Sequence, residues 1–310
     1  MGEYDTIIIG GGVAGLSAGI YAMRSRLKTL LIERFMPGGQ MMVVDLIENY
    51  PGFPSGISGS DLGTAMYEQA LSLGLEVVTA DCTGVDFSSE KKAVFTSEGD
   101  FYAPTVILAV GATPRRLGIP GEDRLIGKGV SYCATCDGAF FKNKRIAVIG
   151  GGNTAVQDGV FLTRFADKVT IIHRRDRLRA TKILQERAFK NPKVEIIWNT
   201  VAVEILGEQK VEGIVLQNVC DKSQHTLPVD GVFVLIGTDP NTEFLKGHVI
   251  LDPQGYIITD EDMRTNVPGV FAAGDCRRKS LRQMVTAAAD GAVAAVMAEQ
   301  YIEALGDRKL

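Results

Sequence analysis

The sequence predicts an α/β protein of two domains, each three-layered about a parallel sheet, with the second domain inserted into the first. Three observations predict it. A strand, glycine turn, helix and strand open the chain at 5–33, and the same unit returns at 145–173 with the same internal spacing. Two apolar runs that end in a glycine turn, VILAVGATP at 106–114 and VFVLIGTDP at 232–240, stand one in each domain. The length of 310 residues allows two domains with sizeable cores. Hydrophobic residues at 45% and charged residues at 23% read as a soluble globular chain. A net charge of -4 gives no pull toward nucleic acid or an anionic membrane.

The first unit reads DTIIIGGGVAGLSAGIYAMRSRLKTLLIE. A buried strand over Thr6–Ile9 runs into Gly10, Gly12 and Gly15, a helix follows from Val13 to about Arg26, and a second strand from Thr29 to Ile32 ends at Glu33. Strand, glycines, helix and acid in this register form the dinucleotide-binding βαβ, so the domain is Rossmann-like. Gly10 permits the tight turn, and Gly15 lets helix and strand pack closely. Gly12 lets a pyrophosphate approach the N–H groups at the helix start, where Val13 and Ala14 lie. Glu33 is placed to accept hydrogen bonds from a ribose.

The second unit reads RIAVIGGGNTAVQDGVFLTRFADKVTIIH. Gly150 and Gly152 keep their places, Ala155 replaces the third glycine, and Asn153 and Thr154 open the helix. The strand over 169–172 ends at His173, and 23 positions separate Gly150 from His173 just as 23 separate Gly10 from Glu33. Histidine therefore stands where the first unit has its acid, and HRRDRLRA then supplies Arg174, Arg175, Arg177 and Arg179. A carboxylate suits a free ribose hydroxyl and repels a 2′-phosphate, whereas guanidinium groups bind that phosphate through charge-assisted bonds. The second site is thus expected to prefer NADPH to NADH. The first is expected to take a dinucleotide without the 2′-phosphate, such as FAD or NAD.

The chain crosses between domains at PRRLGIPG, 114–121, and again at IGTDPNTEFL, 236–245. FAAGDC at 271–276, a short strand ending in Gly274 and Asp275, returns to the first domain. The expected division is 1–115 with 246–310, and 116–245 between them, an internal duplication with one copy inserted in the other. The amino terminus has acidic residues and no basic region ahead of its apolar run, which argues against a signal peptide. No apolar run approaches the ~18 residues of a membrane span, and Asp290 interrupts the Ala-rich stretch at 285–298. A cytoplasmic protein is expected. The basic group Arg277, Arg278 and Lys279 reads as a solvated loop.

Of five cysteines, Cys133 and Cys136 stand three apart with Asp137 following, and Cys82, Cys220 and Cys276 are scattered. The close pair suits half a zinc site, a structural crosslink or a redox couple. Zinc needs two more ligands, and His173, His225 and His248 show no metal spacing. No metal is expected.

IIIGGGVAG, PGGQ, ENYPGFP, CATCD, GGGNTA, HRRDRLRA, GDC and RQMVTAAADG, in this order, span nearly the whole chain. Together they resemble the low-molecular-weight bacterial thioredoxin reductases, of the pyridine nucleotide-disulfide oxidoreductases. Lys128, where many members have arginine, and Ala289, where glycine is common, are departures outside the chemistry. The resemblance implies FAD in the first domain, NADPH in the second, a redox-active Cys133–Cys136 disulfide, thioredoxin as electron acceptor and a homodimer. It implies that Gly39, Gln40, Asn49 and Gly111 lie on the flavin side and that Gly274 and Asp275 meet the ribityl and pyrophosphate groups. It also implies that Arg282 and Gln283, at the head of the last helix, meet the isoalloxazine edge. Cys136 is implied to face the flavin, Cys133 to attack the partner's disulfide, and Asp137 to handle protons. Electrons then run from NADPH to FAD, to the disulfide and to thioredoxin. Cys136 lies 14 positions before Gly150, so nicotinamide and disulfide ride on one domain and need one flavin ring. A domain swivel about the crossings near 114–117 and 243–247 is expected. The alternative acceptor is another thioredoxin-like or peroxiredoxin-linked protein disulfide.

Overall fold

The structure, a computed structural model, describes residues 3–44 and 46–307. Its α-helices are α1 (Val13–Arg24), α2 (Gly59–Ser72), α3 (Ala134–Asp137), α4 (Asn153–Leu162), α5 (Lys182–Lys190) and α6 (Met284–Asp307). The chain divides into two compact units, Met1–Thr113 with Asp239–Leu310, and Pro114–Thr238. The second crossing therefore lies at 238/239, and the stretch 239–245 belongs to the first unit. Asn241 N–H donates to Gly111 O at 3.1 Å, and Leu245 is fully buried in that unit's core. The sequence marks a turn-rich run here, but only packing decides which end of such a run joins which core.

In the first unit five parallel strands stand in the order Val270–Ala272, Thr105–Leu108, Thr6–Ile9, Thr29–Glu33, Glu76–Thr79. Side chains alternate across the sheet, and both faces are covered. Ile8, Leu31, Ile107 and Phe271 face α1, α2 and α6, meeting Leu16, Leu62, Met66 and Ala294. Ile7, Ile9, Leu30, Ile32 and Val106 face Val85 and Val94 of an antiparallel sheet built from Cys82–Asp86, Lys92–Thr96 and Gly99–Ala103, and Phe87 just beyond its first strand. Two-sided burial explains why these strands read as unbroken apolar runs. Truncating Phe271 to alanine removes a buried side chain packed between the first strand of this order and the helices, a loss of about 3–5 kcal/mol.

The second unit repeats the plan. Its parallel order is Val194–Ile197, Lys168–Ile172, Arg145–Ile149, Gly231–Val234, Val130–Ser131. Ile146, Val148, Ile171 and Phe233 pack with Ala155 and Leu162 of α4. Ala147, Ile149, Val232 and Val234 pack with Ile205, Ile214 and Leu216 of a second antiparallel sheet, Thr200–Leu206, Gly213–Asn218 and Gln224–Leu227. Each unit is thus the expected three-layer arrangement, with helices on one face of the parallel sheet and an antiparallel sheet on the other. One strand differs in origin. The second unit's edge strand, Val130–Ser131, precedes its fingerprint, whereas the first unit's edge strand, Val270–Ala272, comes from the far end of the chain. The first sheet is complete only after the chain returns from the second unit. No helix of the described residues is long and apolar enough to cross a membrane.

Candidate active site

The first cradle forms where the strand Thr6–Ile9 meets α1. Gly10 has φ +103°, and a Cβ there would lie 2.4 Å from Ala109 O. A Cβ at Gly15 would lie 1.8 Å from Gly10 O, so neither position admits a side chain. Gly12 is different, because a Cβ there would meet nothing within 4 Å. It caps α1 with no side-chain acceptor, whereas Ser58 caps α2 by accepting from Asp61 N–H. Gly12 thus offers no side-chain acceptor to the first-turn N–H groups of α1, among them those of Val13 and Ala14, and the positive end of the helix dipole lies behind them.

Distant segments converge on this cradle. Gly38 N–H donates to Gly11 O at 2.8 Å, and a Cβ at Gly39 would lie 3.1 Å from Gly12 Cα, which sets PGGQ against the helix start. Glu33 accepts from Gly11 N–H at 2.6 Å and from Phe35 N–H at 3.1 Å, so its carboxylate is fixed beside the glycine turn. Gln40 donates to Ala112 O, next to Gly111 with φ +66°. Asn49 Nδ2 donates to Gln283 Oε1 at 2.9 Å across 234 positions of sequence. The segment 48–54 that carries Asn49 lines a cavity of about 390 Å³. Arg282 lies over the Tyr256 ring at 4.0 Å, and its Nε donates to Asp275 O at 3.5 Å. A Cβ at Gly274 would lie 2.9 Å from Ala14 Cβ, which brings the GDC turn onto α1. Asp275 Oδ1 is buried without a hydrogen-bond partner. Burial raises the Asp275 pKa, Lys279 and Arg282 draw it down, and Asp290 pushes it up.

The second cradle has the same construction. Gly150 has φ +149°, with Leu235 O at 2.5 Å and Ala155 Cβ at 2.6 Å from a would-be Cβ, while Gly152 again faces open space and caps α4 without a side-chain acceptor. A Cβ at Gly151 would fall 2.2 Å from His173 Nδ1, so the imidazole lies directly against the turn. His173 is buried and its Nε2 lacks a partner. Burial lowers its pKa, a hydrogen bond with the Arg177 backbone raises it, and Arg179, Arg175 and Arg174 lower it further. HRRDRLRA is a loop leading into α5. Arg179 N–H and Ala180 N–H donate to Gly151 O at 2.7 and 3.2 Å, and Asn153 Oδ1 accepts from Thr181 N–H at 2.9 Å. Arg174, Arg175 and Arg179 are exposed, and among the described residues none of them forms an ion pair.

Open, uncapped helix starts and buried polar atoms without partners fit two nucleotides. In the first unit the helix start lies beside Glu33 and the partnerless atom is Asp275 Oδ1; in the second the partnerless atom is His173 Nε2, with arginines in the loop that follows it. Among the described residues no group of three or more His, Cys, Asp or Glu side chains could hold a metal ion.

Cys133 and Cys136 form a disulfide with Cα atoms 5.3 Å apart, on the single turn α3. Cys133 is the N-cap, and its Sγ accepts from Cys136 N–H at 3.2 Å. Cys133 N–H donates to Ser131 Oγ at 3.0 Å, and Asp137 N–H donates to Cys133 O at 3.2 Å. Both sulfurs and Asp137 sit in half-buried residues. α3 packs on α4, where a Cβ at Gly138 would lie 2.9 Å from Leu162 Cδ2.

Two acids that the motifs do not single out have unusual surroundings. Asp290, with Arg277 and Lys279, is buried in an ion cluster, so of the basic group after Cys276 only Arg278 is exposed as a solvated loop would have it. The available signal is an aspartate inside an otherwise apolar helical run, which calls for a buried partner. Asp158, one turn before Leu162, has its pKa pushed up to about 6 by burial. Its folded-state value exceeds the unfolded one of ~3.9, so the folded protein binds the extra proton and this group's contribution falls as pH rises from ~4 to ~6. Asp158→Asn is expected to stabilise the protein by about 1–2 kcal/mol at pH 7, allowing for partial exposure, with the gain gone near pH 4. Melting temperatures across that range check it, and a gain independent of pH would refute the cause.

A family model described as pyridine nucleotide-disulphide oxidoreductase matches residues 4–291. A Listeria monocytogenes protein named thioredoxin reductase is 52% identical over 97% of this chain and 95% of its own length. The crystal structure of thioredoxin reductase from Streptococcus pyogenes matches at TM-score 0.94 with 46% identity, covering 97% of this chain and 99% of that one. The Lactococcus lactis thioredoxin reductase structure, titled as the FR conformation, has the same 46% identity and the same coverages of 97% and 99%, at TM-score 0.66.

Proposed function

This chain belongs to the pyridine nucleotide-disulphide oxidoreductase family, and on that premise we propose that it is an NADPH-dependent flavoprotein that reduces the disulfide of thioredoxin. The observation that carries the reading is the Cys133–Cys136 disulfide, held on one helical turn within the unit that also bears the histidine- and arginine-marked cradle.

FAD fits the first cradle. The α1 start, with Gly10, Gly12, Val13, Ala14, Gly15 and Gly39, takes the pyrophosphate, and Glu33 takes a ribose. Gln40, Asn49, Gly111, Gly274, Asp275, Arg282 and Gln283 surround the flavin half. NADPH fits the second, with Gly150, Gly152, Asn153 and Thr154 at the pyrophosphate and His173, Arg174, Arg175 and Arg179 at the 2′-phosphate. The flavin, when bound, carries reducing equivalents between nicotinamide and disulfide.

The chain's own sulfurs do the exchange. The Cys133 thiolate attacks one sulfur of the partner's disulfide, a mixed disulfide forms, and the partner's other sulfur leaves as a thiolate. Cys136 then attacks Cys133 Sγ, which restores the Cys133–Cys136 bond and releases the partner as a dithiol. Asp137 takes the proton from Cys136 Sγ as it attacks and passes it to the departing sulfur, and the partner's other thiolate is protonated from solvent.

Nicotinamide site and disulfide share the unit Pro114–Thr238, so that unit turns about its two crossings between half-reactions. Two relatives of equal identity and coverage support this, because their TM-scores of 0.94 and 0.66 differ by more than sequence divergence accounts for. On this reading the enzyme works as a homodimer in the cytoplasm, as the family resemblance implies.

The test is the purified protein with NADPH and oxidised thioredoxin. Yellow protein and NADPH consumption that depends on thioredoxin are expected. Colourless protein that takes up no added FAD sinks the flavin reading. NADPH bleaching of the flavin without thioredoxin turnover points to the alternative acceptor, another thioredoxin-like or peroxiredoxin-linked disulfide.

A further inference from the structure

Asp290 lies in the second turn of α6, where that helix presses on α1. At the next residue, Gly291, a Cβ would fall 2.1 Å from Ala14 O. Its carboxylate accepts four hydrogen bonds. Oδ2 receives Gly274 N–H at 3.0 Å, Arg277 Nε at 2.9 Å and Lys279 Nζ at 2.7 Å, and Oδ1 receives Arg277 Nη2 at 3.3 Å. Arg277 Nη1 donates onward to Thr259 Oγ1 at 2.8 Å. The side chains of Arg277, Lys279 and Asp290 are only 14, 8 and 9% exposed.

One carboxylate therefore grips the 274–279 turn at three points. Asp275 lies between the first two, with its Oδ1 buried and unpartnered. A buried ion cluster is a poor source of stability, since its desolvation offsets most of the attraction and an apolar packing of the same volume does as well. An unpartnered buried acceptor adds a further cost. Geometry is what such an arrangement supplies. Burial, the largest cause, and Asp290 push the Asp275 pKa up, and Lys279 and Arg282 offset part of that shift.

We propose that Asp290 is a positioning residue for the first nucleotide site: with Arg277 and Lys279 it locks the 274–279 turn so that Asp275 presents its buried oxygen to a hydroxyl or N–H donor of the bound flavin nucleotide. The inference rests on the FAD reading of that site and adds a residue that touches no ligand itself.

The test uses the flavin-loaded protein and follows flavin release on dilution by the recovery of free-flavin fluorescence, with the unfolding temperature measured alongside. Asp290→Asn combined with Lys279→Met removes one charge of each sign and keeps the cluster balanced. It is expected to weaken flavin retention about tenfold or more, as is Asp275→Asn alone, since each forfeits a charge-assisted hydrogen bond. In the Asp275→Asn background the same pair is expected to add no more than about twofold, because the amide that replaces the carboxylate carries no charge to position. Wild-type retention in the balanced variant overturns the proposal. An undiminished further loss in the Asp275→Asn background also overturns it and assigns the cluster to stability alone. If the balanced variant does not fold, Arg277→Lys keeps the charge and drops the second contact to Asp290, and the same comparison decides. Wild-type protein that holds no FAD sinks the underlying reading and this one with it. Wild-type protein that holds FAD, with Asp275→Asn weakened and the balanced variant unchanged, sinks only this one.

Discussion

Cys136→Ser protein is expected to lose thioredoxin reduction to background and to trap the partner on Cys133. Cys133 caps α3, and its Sγ already accepts the Cys136 N–H. A serine at 136 keeps that N–H. In the reduced state the same donor and the helix start favour a thiolate at Cys133, which makes it the attacking sulfur. Without a sulfur at 136, nothing resolves the mixed disulfide. Cys133→Ser is expected to be equally inactive but to form no partner adduct, and its remaining Cys136 is expected to perturb the flavin spectrum. In both variants NADPH is expected still to bleach the yellow colour. Asp137→Asn is expected to slow thiol–disulfide exchange and spare bleaching. The measurement uses a thioredoxin whose resolving cysteine is replaced and whose other cysteine carries an activated aromatic disulfide, and mass spectrometry maps the adduct. A partner adduct on Cys136 and none on Cys133 would reverse the assignment.

Arg174→Ala combined with Arg175→Ala is expected to raise KM for NADPH about a hundredfold and to leave that for NADH nearly unchanged, with each lost charge-assisted contact contributing roughly tenfold. Both side chains are exposed and have no ion-pair partner among the described residues, so none of those residues' carboxylates competes for them. The loop that carries them is fixed to the turn through Arg179 N–H and Ala180 N–H on Gly151 O, so the substitutions leave the cradle intact. Exposure also makes the contacts sensitive to salt, and the NADPH preference of the unmutated enzyme is expected to shrink as ionic strength rises. Equal use of the two nucleotides by unmutated enzyme at low salt would refute the role of the arginines.

Much of this was legible from local pattern. Glycines at 10, 12 and 15, a helix beginning at Val13 and an acid at the end of the second strand constrain one another through backbone geometry, and all fall where the pattern puts them. The swap of Glu33 for His173 at equal spacing is equally local. The antiparallel sheets over 82–103 and 200–227 have no such local signature in the sequence. Their strands are short and several are largely exposed, such as Gln224–Leu227, so they leave a weak periodic signal.

The sequence by itself determined the two cradles, the difference in charge between them and the close thiol pair, because each depends on residues a few positions apart whose backbone geometry is locally enforced. Only the tertiary structure decided that Asn49 meets Gln283, that residues 239–245 join the first unit, and that Arg277 and Lys279 turn inward onto Asp290. Such contacts span tens to hundreds of positions. The Asp290 cluster forms because a buried charge must find a partner wherever packing brings one, whereas Asn49 and Gln283 meet at an exposed edge that folding brings together, and spacing along the chain carries no record of either.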